Sequence, residues 1–129
     1  MSVEDLVRFL KERLDRDEAV ARACAGAPWT VGAGGTVRVS PTDAAARPDW
    51  ERLGFVARAE NASYAEHIAR MNPQRALSTV AAHRSIVETY EKYTLKGPQA
   101  PELGLIGPLL RTLAAQYSTH PAYRSEWAL

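Results

Sequence analysis

Apolar side chains recur at three- and four-residue steps early in the chain, at Val3, Leu6, Val7, Leu10, Leu14 and Ala21. This spacing places them on one side of a helix, so the segment predicts a long amphipathic helix with a single buried stripe. Ser2 followed by Asp5 forms a capping-box variant at its start. Glu4 with Arg8, Glu12 with Arg16 and Glu18 with Arg22 stand four residues apart, acid before base. Each such pair supports the solvated face by about 0.2–0.5 kcal/mol. Gly26 can adopt a left-handed cap and Pro28 cannot extend the hydrogen-bond ladder, which ends the helix near Cys24.

The period then shortens to two. Trp29-Thr30-Val31 and Thr36-Val37-Arg38-Val39 flank Gly32-Ala33-Gly34-Gly35, the pattern of a hairpin with strands over about 29–33 and 36–40. Residues 40–52 are rich in turn formers and read as a surface excursion from which Trp50 folds back. Leu53, Phe55 and Val56 predict a third strand over about 53–58, completing a small antiparallel meander whose apolar face helices must cover.

Helical spacing returns after Asn61 or Ser63, either of which can cap a helix over about 62–71. Asn72-Pro73 restarts the chain, Asn as cap and Pro at the first helical position. The helix that follows, over about 73–95, carries Leu77, Val80, Val87 and Tyr90 on one stripe, broadened by Ile86 and Tyr93. Gly97-Pro98 breaks it, and Gly104 with Gly107-Pro108 delays the last helix to about 108–117, where Leu109, Leu110, Leu113 and Tyr117 keep helical spacing. His120-Pro121 turns the chain into Tyr123 and Trp127, aromatics costly to leave in water and therefore expected to dock back. The fold class is α+β: a long N-terminal helix, a three-stranded antiparallel sheet and three further helices packed on it, in one domain over 1–129.

Composition limits the function classes. A chain that is 46% hydrophobic and 24% charged can bury a core, which disfavours a disordered tail. Its 16 basic and 15 acidic side chains are interspersed, so no basic block is present to displace counterions from nucleic acid. Cys24 is the single cysteine, which rules out an intrachain disulfide and a multi-cysteine zinc site. No apolar run approaches the roughly 20 residues that span a bilayer, and the acidic start lacks the apolar stretch of a secretory signal. A cytoplasmic location is expected.

Candidate chemistry is sparse. His67 and His83 flank the Asn72-Pro73 break and His120 lies in a distant turn, so no two share one helix at ligand spacing. Glu66 and His67 are adjacent and point about 100° apart on a helix, while Glu88 and Glu91 read as solvated beside Lys92. Neither Ser118 nor Cys24 stands in a nucleophile-elbow context. Cys24 at a helix C-terminus meets the negative dipole end and reads as a small core residue. The glycines 32, 34 and 35 join two strands, where a phosphate loop would open a helix. Asn61-Ala62-Ser63 matches a glycosylation sequon but lacks the secretory context. No catalytic, cofactor-binding or metal-binding residue is nominated, and no cofactor is expected.

Four separated blocks carry a resemblance. They are Leu6-x-x-Phe9-Leu10-x-x-Arg13-Leu14-Asp15-x-Asp17-Glu18, then Pro28-Trp29, then His67-Ile68-Ala69-Arg70-x-x-Pro73-x-Arg75-x-Leu77, and Leu113-x-x-x-Tyr117-x-x-His120-Pro121-x-Tyr123-Arg124-x-Glu126-Trp127. Together they resemble an uncharacterised family of small proteins from actinobacteria and their phages. The block from Ala65 to Leu77 is also similar to early-region accessory proteins of lambdoid phages. Where the actinobacterial family continues its hairpin with acidic residues and a short link, this chain has the longer Pro41–Trp50 stretch. The resemblance implies a phage, prophage or accessory-genome product acting in a bacterial cytoplasm and carries over no functional residue.

Three hypotheses follow. The first is a non-enzymatic accessory protein that binds another protein or a second copy of itself, with Arg70, Arg75, Arg84, Lys92, Tyr123 and Trp127 as the candidate surface. The second is a small metal-binding protein or hydrolase using His67, His83 and His120. The third is a weak nucleic-acid binder using the basic face of residues 70–96, the less expected class of partner. A membrane partner is not expected.

Overall fold

The computed structural model describes residues 3–24, 28–39 and 54–129. Ser2, Gly26, the 41–50 excursion with Trp50, and Leu53 lie outside the described residues. Among the described residues, four α-helices and three strands run in the order α1 (Val3–Arg22), β1 (Trp29–Val31), β2 (Thr36–Val39), β3 (Phe55–Arg58), α2 (Ala62–Arg70), α3 (Pro73–Thr94) and α4 (Glu102–Ala115). The sheet is antiparallel in the order β1-β2-β3, the α+β architecture expected from the periodicity.

The chain divides into two units, Met1–Glu18 with Thr79–Leu129, and Ala19–Ser78. In the second, Trp29 pairs with Val39 and Val31 with Val37. On the other side Val37 pairs with Ala57 and Arg38 with Phe55, the register shifting between Val37 and Arg38. Val37, fully buried on the central strand, meets Ala65 and Ala69 of α2. Trp29, Val56, Ala57, Ala59 and Ile68 pack around them. Alanine at 65 and 69, one turn apart on one face of α2, lets the helix backbone come close to the sheet. Asn61 caps α2 by accepting from the Tyr64 backbone N–H at 3.0 Å. Asn72 repeats the device for α3, accepting from the Arg75 N–H at 3.0 Å with Pro73 next in the chain.

In the helical unit, α1 buries Leu6, Phe9, Leu10 and Leu14 against Val80, Val87 and Tyr90 of α3 and Leu110, Leu113 and Ala114 of α4. Trp127 completes this core, as the aromatic ending predicts. Phe9 stands at its centre, with ring centroids 5.0 Å from Trp127, 5.7 Å from His120, 6.1 Å from Tyr123 and 6.2 Å from Tyr117. Arg111 fixes the tail by donating from Nε to the Trp127 carbonyl at 3.1 Å and from Nη2 to the Ala128 carbonyl. Across α1 and α3, Arg84 donates to Asp15 at 2.6 Å and Glu18 at 3.0 Å. These two bonds, that to Glu18 first, hold its guanidinium above the ordinary arginine range.

Three expectations need correction. α4 begins at Glu102, not 108, and contains Pro108. Proline inside a helix costs about 3 kcal/mol or more, but here Pro108 and Gly104 are exposed, so the Gly104 carbonyl that Pro108 leaves without a donor is open to water. Burial of Leu110, Leu113 and Ala114, with Leu103 and Ile106 packed beside them, offsets the cost. Cys24 is exposed, its thiol 3.5 Å from the Val20 carbonyl, because α1 ends at Arg22 before Cys24 can turn inward. On the charged face of α1, Arg8 pairs with Asp5, three residues away, and not with Glu4.

Tyr117 supplies a pH test of this core. Its hydroxyl donates to Asp17 Oδ2 at 2.6 Å. Burial first, then the bond to and charge of Asp17, push its pKa well above the ordinary value of about 10. The folded chain therefore holds a proton that the unfolded chain releases, so the stabilisation is full below about pH 10 and declines as pH rises beyond it. Urea midpoints measured from pH 9 to 11 should fall more steeply for the wild type than for Tyr117→Phe. Parallel profiles would refute the assignment.

Candidate functional site

The stripe on α1 is wider than the core it meets, and its edge borders a cleft that is the candidate site. Val3 is 36% exposed and Val7 half-buried, although both continue the apolar spacing of the buried Leu6 and Leu10. They open onto a cleft of about 910 Å³ between the first turns of α1, the last turns of α3 and the start of α4. Val3, Val7, Tyr90 and Leu103 give it an apolar lining. Glu4, Arg8, Lys11, Glu12 and Glu91 add charge, with Thr94, Pro98 and Gly104 completing the wall. A side chain added at Gly104 would meet nothing within 4 Å, which keeps that wall low.

The charges at the cleft are largely matched within the molecule. Lys11 donates to Glu91 at 2.8 Å, joining α1 to α3. Arg8 pairs with Asp5, which also accepts from Arg124 at 3.0 Å. At the start of α4, the Glu102 carboxyl is held below the usual carboxylate range by its own backbone N–H and by Lys96 at 3.4 Å. Such exposed pairs contribute little stability, but they fix where charge stands around an apolar floor. The lining contains no histidine, cysteine or serine. What the cleft offers is a place to bury apolar side chains inside a polar rim, the anatomy of a recognition groove.

None of the six residues proposed from the sequence lines this cleft. Trp127 is 1% exposed and belongs to the core, so its ring is not available as surface. Tyr123 is half-buried against Phe9 and Trp127. Arg84 is matched by two carboxylates and Arg70 by Glu66 at 3.1 Å, so two of the four proposed basic residues are already paired. Arg75 and Lys92 are exposed.

His67 is exposed on α2, in the sheet unit, whereas His83 and His120 belong to the helical unit and are half-buried. The ring nitrogens of His120 face two donors, the Arg13 guanidinium and the Ala122 backbone N–H at 3.0 Å. Among the described residues, no group of three or more His, Cys, Asp or Glu side chains is placed to hold a metal ion. Among the same residues, no helix is long and apolar enough to cross a membrane.

The glycine-rich segment does what its flanking strands predict. Gly32 to Gly35 turns the chain from β1 to β2, with Gly34 and Gly35 at positive φ and the Gly35 carbonyl accepting from the Ala59 N–H at 2.8 Å. Its backbone groups serve the sheet.

No curated protein and no solved structure is significantly similar to the chain. Residues 3–129 match the sequence profile of a family of unknown function, DUF6221, a span that includes every helix and strand described above. The chain belongs to that family.

Proposed function

We propose that the protein is a non-enzymatic interaction protein, an accessory product of a phage or prophage, that binds another protein through the cleft of its helical unit. The cleft itself carries this reading. A volume of about 910 Å³ with Val3, Val7, Tyr90 and Leu103 presented together is suited to apolar side chains of a partner. Around it, Lys11–Glu91 and Arg8–Asp5 supply a polar border whose two bases are already matched, so a partner can dock without stranding either cation. The phage context is supported by the resemblance of the four sequence blocks.

Site-specific photo-crosslinking tests the reading. A benzoyl-phenylalanine at position 3 should give a discrete adduct in the cells that make the protein, at a mass other than twice 14.2 kDa. The same group at Arg16, exposed on α1 and away from the cleft, should give none. Equal labelling from both positions, or from neither, would contradict it.

A further inference from the structure

Two parallel rows of α1 side chains border the cleft. Val3, Val7 and Lys11 stand four residues apart in the inner row, and Glu4, Arg8 and Glu12 repeat the step in an outer row that is exposed throughout. Each row runs about 12 Å along the helix axis, a little over two turns.

The two bases in these rows are committed within the molecule. Arg8 turns to Asp5, and Lys11 reaches Glu91 at 2.8 Å. The outer acids are not committed in the same way. Glu4 pairs with no base among the described residues. Glu12 has only the guanidinium of the next residue, Arg13, at 3.8 Å, and its side chain is 59% exposed. Arg13 itself faces His120. What remains is an apolar floor with two carboxylates along one border, their backbone positions about 12 Å apart.

We infer that the cleft holds a basic amphipathic helix of another protein, with apolar side chains on Val3, Val7 and Leu103 and lysines or arginines beside Glu4 and Glu12. The inference rests on the cleft reading above and names the chemistry of the partner. A helix fits because its residues repeat at the same four-residue step as the two rows of α1, so the side chains of one can seat between those of the other. Bases about eight residues apart on that helix meet both carboxylates at once. Gly104 carries no side chain on the opposite wall, which gives the partner backbone room beside α4.

The same carboxylates select against other occupants. They repel the phosphates of nucleic acid and the headgroups of anionic lipid. A second copy related by a two-fold axis would set this acidic border against itself.

Two synthetic peptides test this on the full chain. Both carry leucines at helical spacing along one face; one has lysine, the other glutamate, at two positions flanking that face. By fluorescence anisotropy at low salt, the lysine peptide should bind the wild type about tenfold more tightly than the glutamate peptide, and about 0.5 M salt should close the gap. Glu4→Gln with Glu12→Gln should abolish the preference, and Glu4→Lys with Glu12→Lys should reverse it. Both positions are exposed, so circular dichroism of these variants should match the wild type. Glu60→Lys, at an exposed acid of the sheet unit, should leave the preference as it was. Equal affinity for the two peptides overturns the inference, as does binding of neither or a lysine preference that survives both double substitutions. If it falls while the position-3 adduct persists, the cleft binds a protein of other chemistry and the cleft reading stands. If the adduct is absent as well, that reading falls too.

Discussion

Trp127→Ala should destabilise the protein by about 3–5 kcal/mol, whereas Trp127→Phe should cost no more than about 1.5 kcal/mol. The alanine change empties a site that is 1% exposed and removes ring contacts to Phe9 and Tyr123 at 5.0 and 5.6 Å. It also removes the ring beneath the Arg124 guanidinium, 5.6 Å from the centroid. Phenylalanine keeps much of that packing and removes a liability. The indole Nε1–H is buried and meets no acceptor among the described residues, a deficit worth about 1–3 kcal/mol that a phenyl ring does not have. Chemical denaturation of the three proteins decides it. Equal losses for both substitutions would mean that the indole N–H has a partner and that the packing argument is incomplete.

The second large effect concerns neighbouring glycines. Gly35→Ala should lower stability by about 3 kcal/mol or more, and Gly34→Ala by about 1–2 kcal/mol. Both residues are in the left-handed region, at φ 75° and 68°, so each alanine bears the same backbone strain. Their surroundings differ. A Cβ at Gly35 would stand 2.4 Å from the Ala59 carbonyl oxygen, whereas one at Gly34 would meet nothing within 4 Å. Relief at Gly35 requires moving the β1–β2 turn away from the segment after β3, which breaks the Ala59 N–H to Gly35 carbonyl bond. Hydrogen exchange should show lost protection at 29–31, 36–39 and 55–58 for Gly35→Ala alone. Similar exchange in both variants would contradict the close-approach argument.

The elements that could be read from sequence are those with local causes. Asn61 and Asn72 mark helix starts because an Asn side chain meets a backbone N–H three residues on, whatever surrounds it. The glycines at 34 and 35 mark a turn because few other residues take positive φ. Periodicity identified most of the buried faces of α1 and α3 for the same reason, but Phe9, buried at the centre of the core, was not on the α1 stripe. Periodicity does not say what a face is buried against, and the buried residues fall into two clusters, one around Phe9 and one around Val37. The start of α4 was hidden because Gly104 and Pro108 oppose a helix locally while tertiary packing of Leu103, Ile106 and Leu110 imposes one.

The cleft was hidden for a related reason. Val3 and Val7 carry the same periodic signal as Leu6 and Leu10, and only the tertiary arrangement distinguishes an apolar residue that is covered from one at the edge. Side-chain charge misled in the other direction. Arg84 looks like free positive charge until Asp15 and Glu18, more than sixty residues earlier, are found beside it.

The most direct test of the central claim, that function resides in recognition at the cleft, is a ¹⁵N–¹H titration of the labelled chain with the protein captured at position 3. The account predicts that the largest shift changes fall on the amides of Val3, Val7, Thr94, Leu103 and Gly104, which line the cleft. Changes confined to β1–β3 and α2, with the cleft amides unmoved, would contradict it.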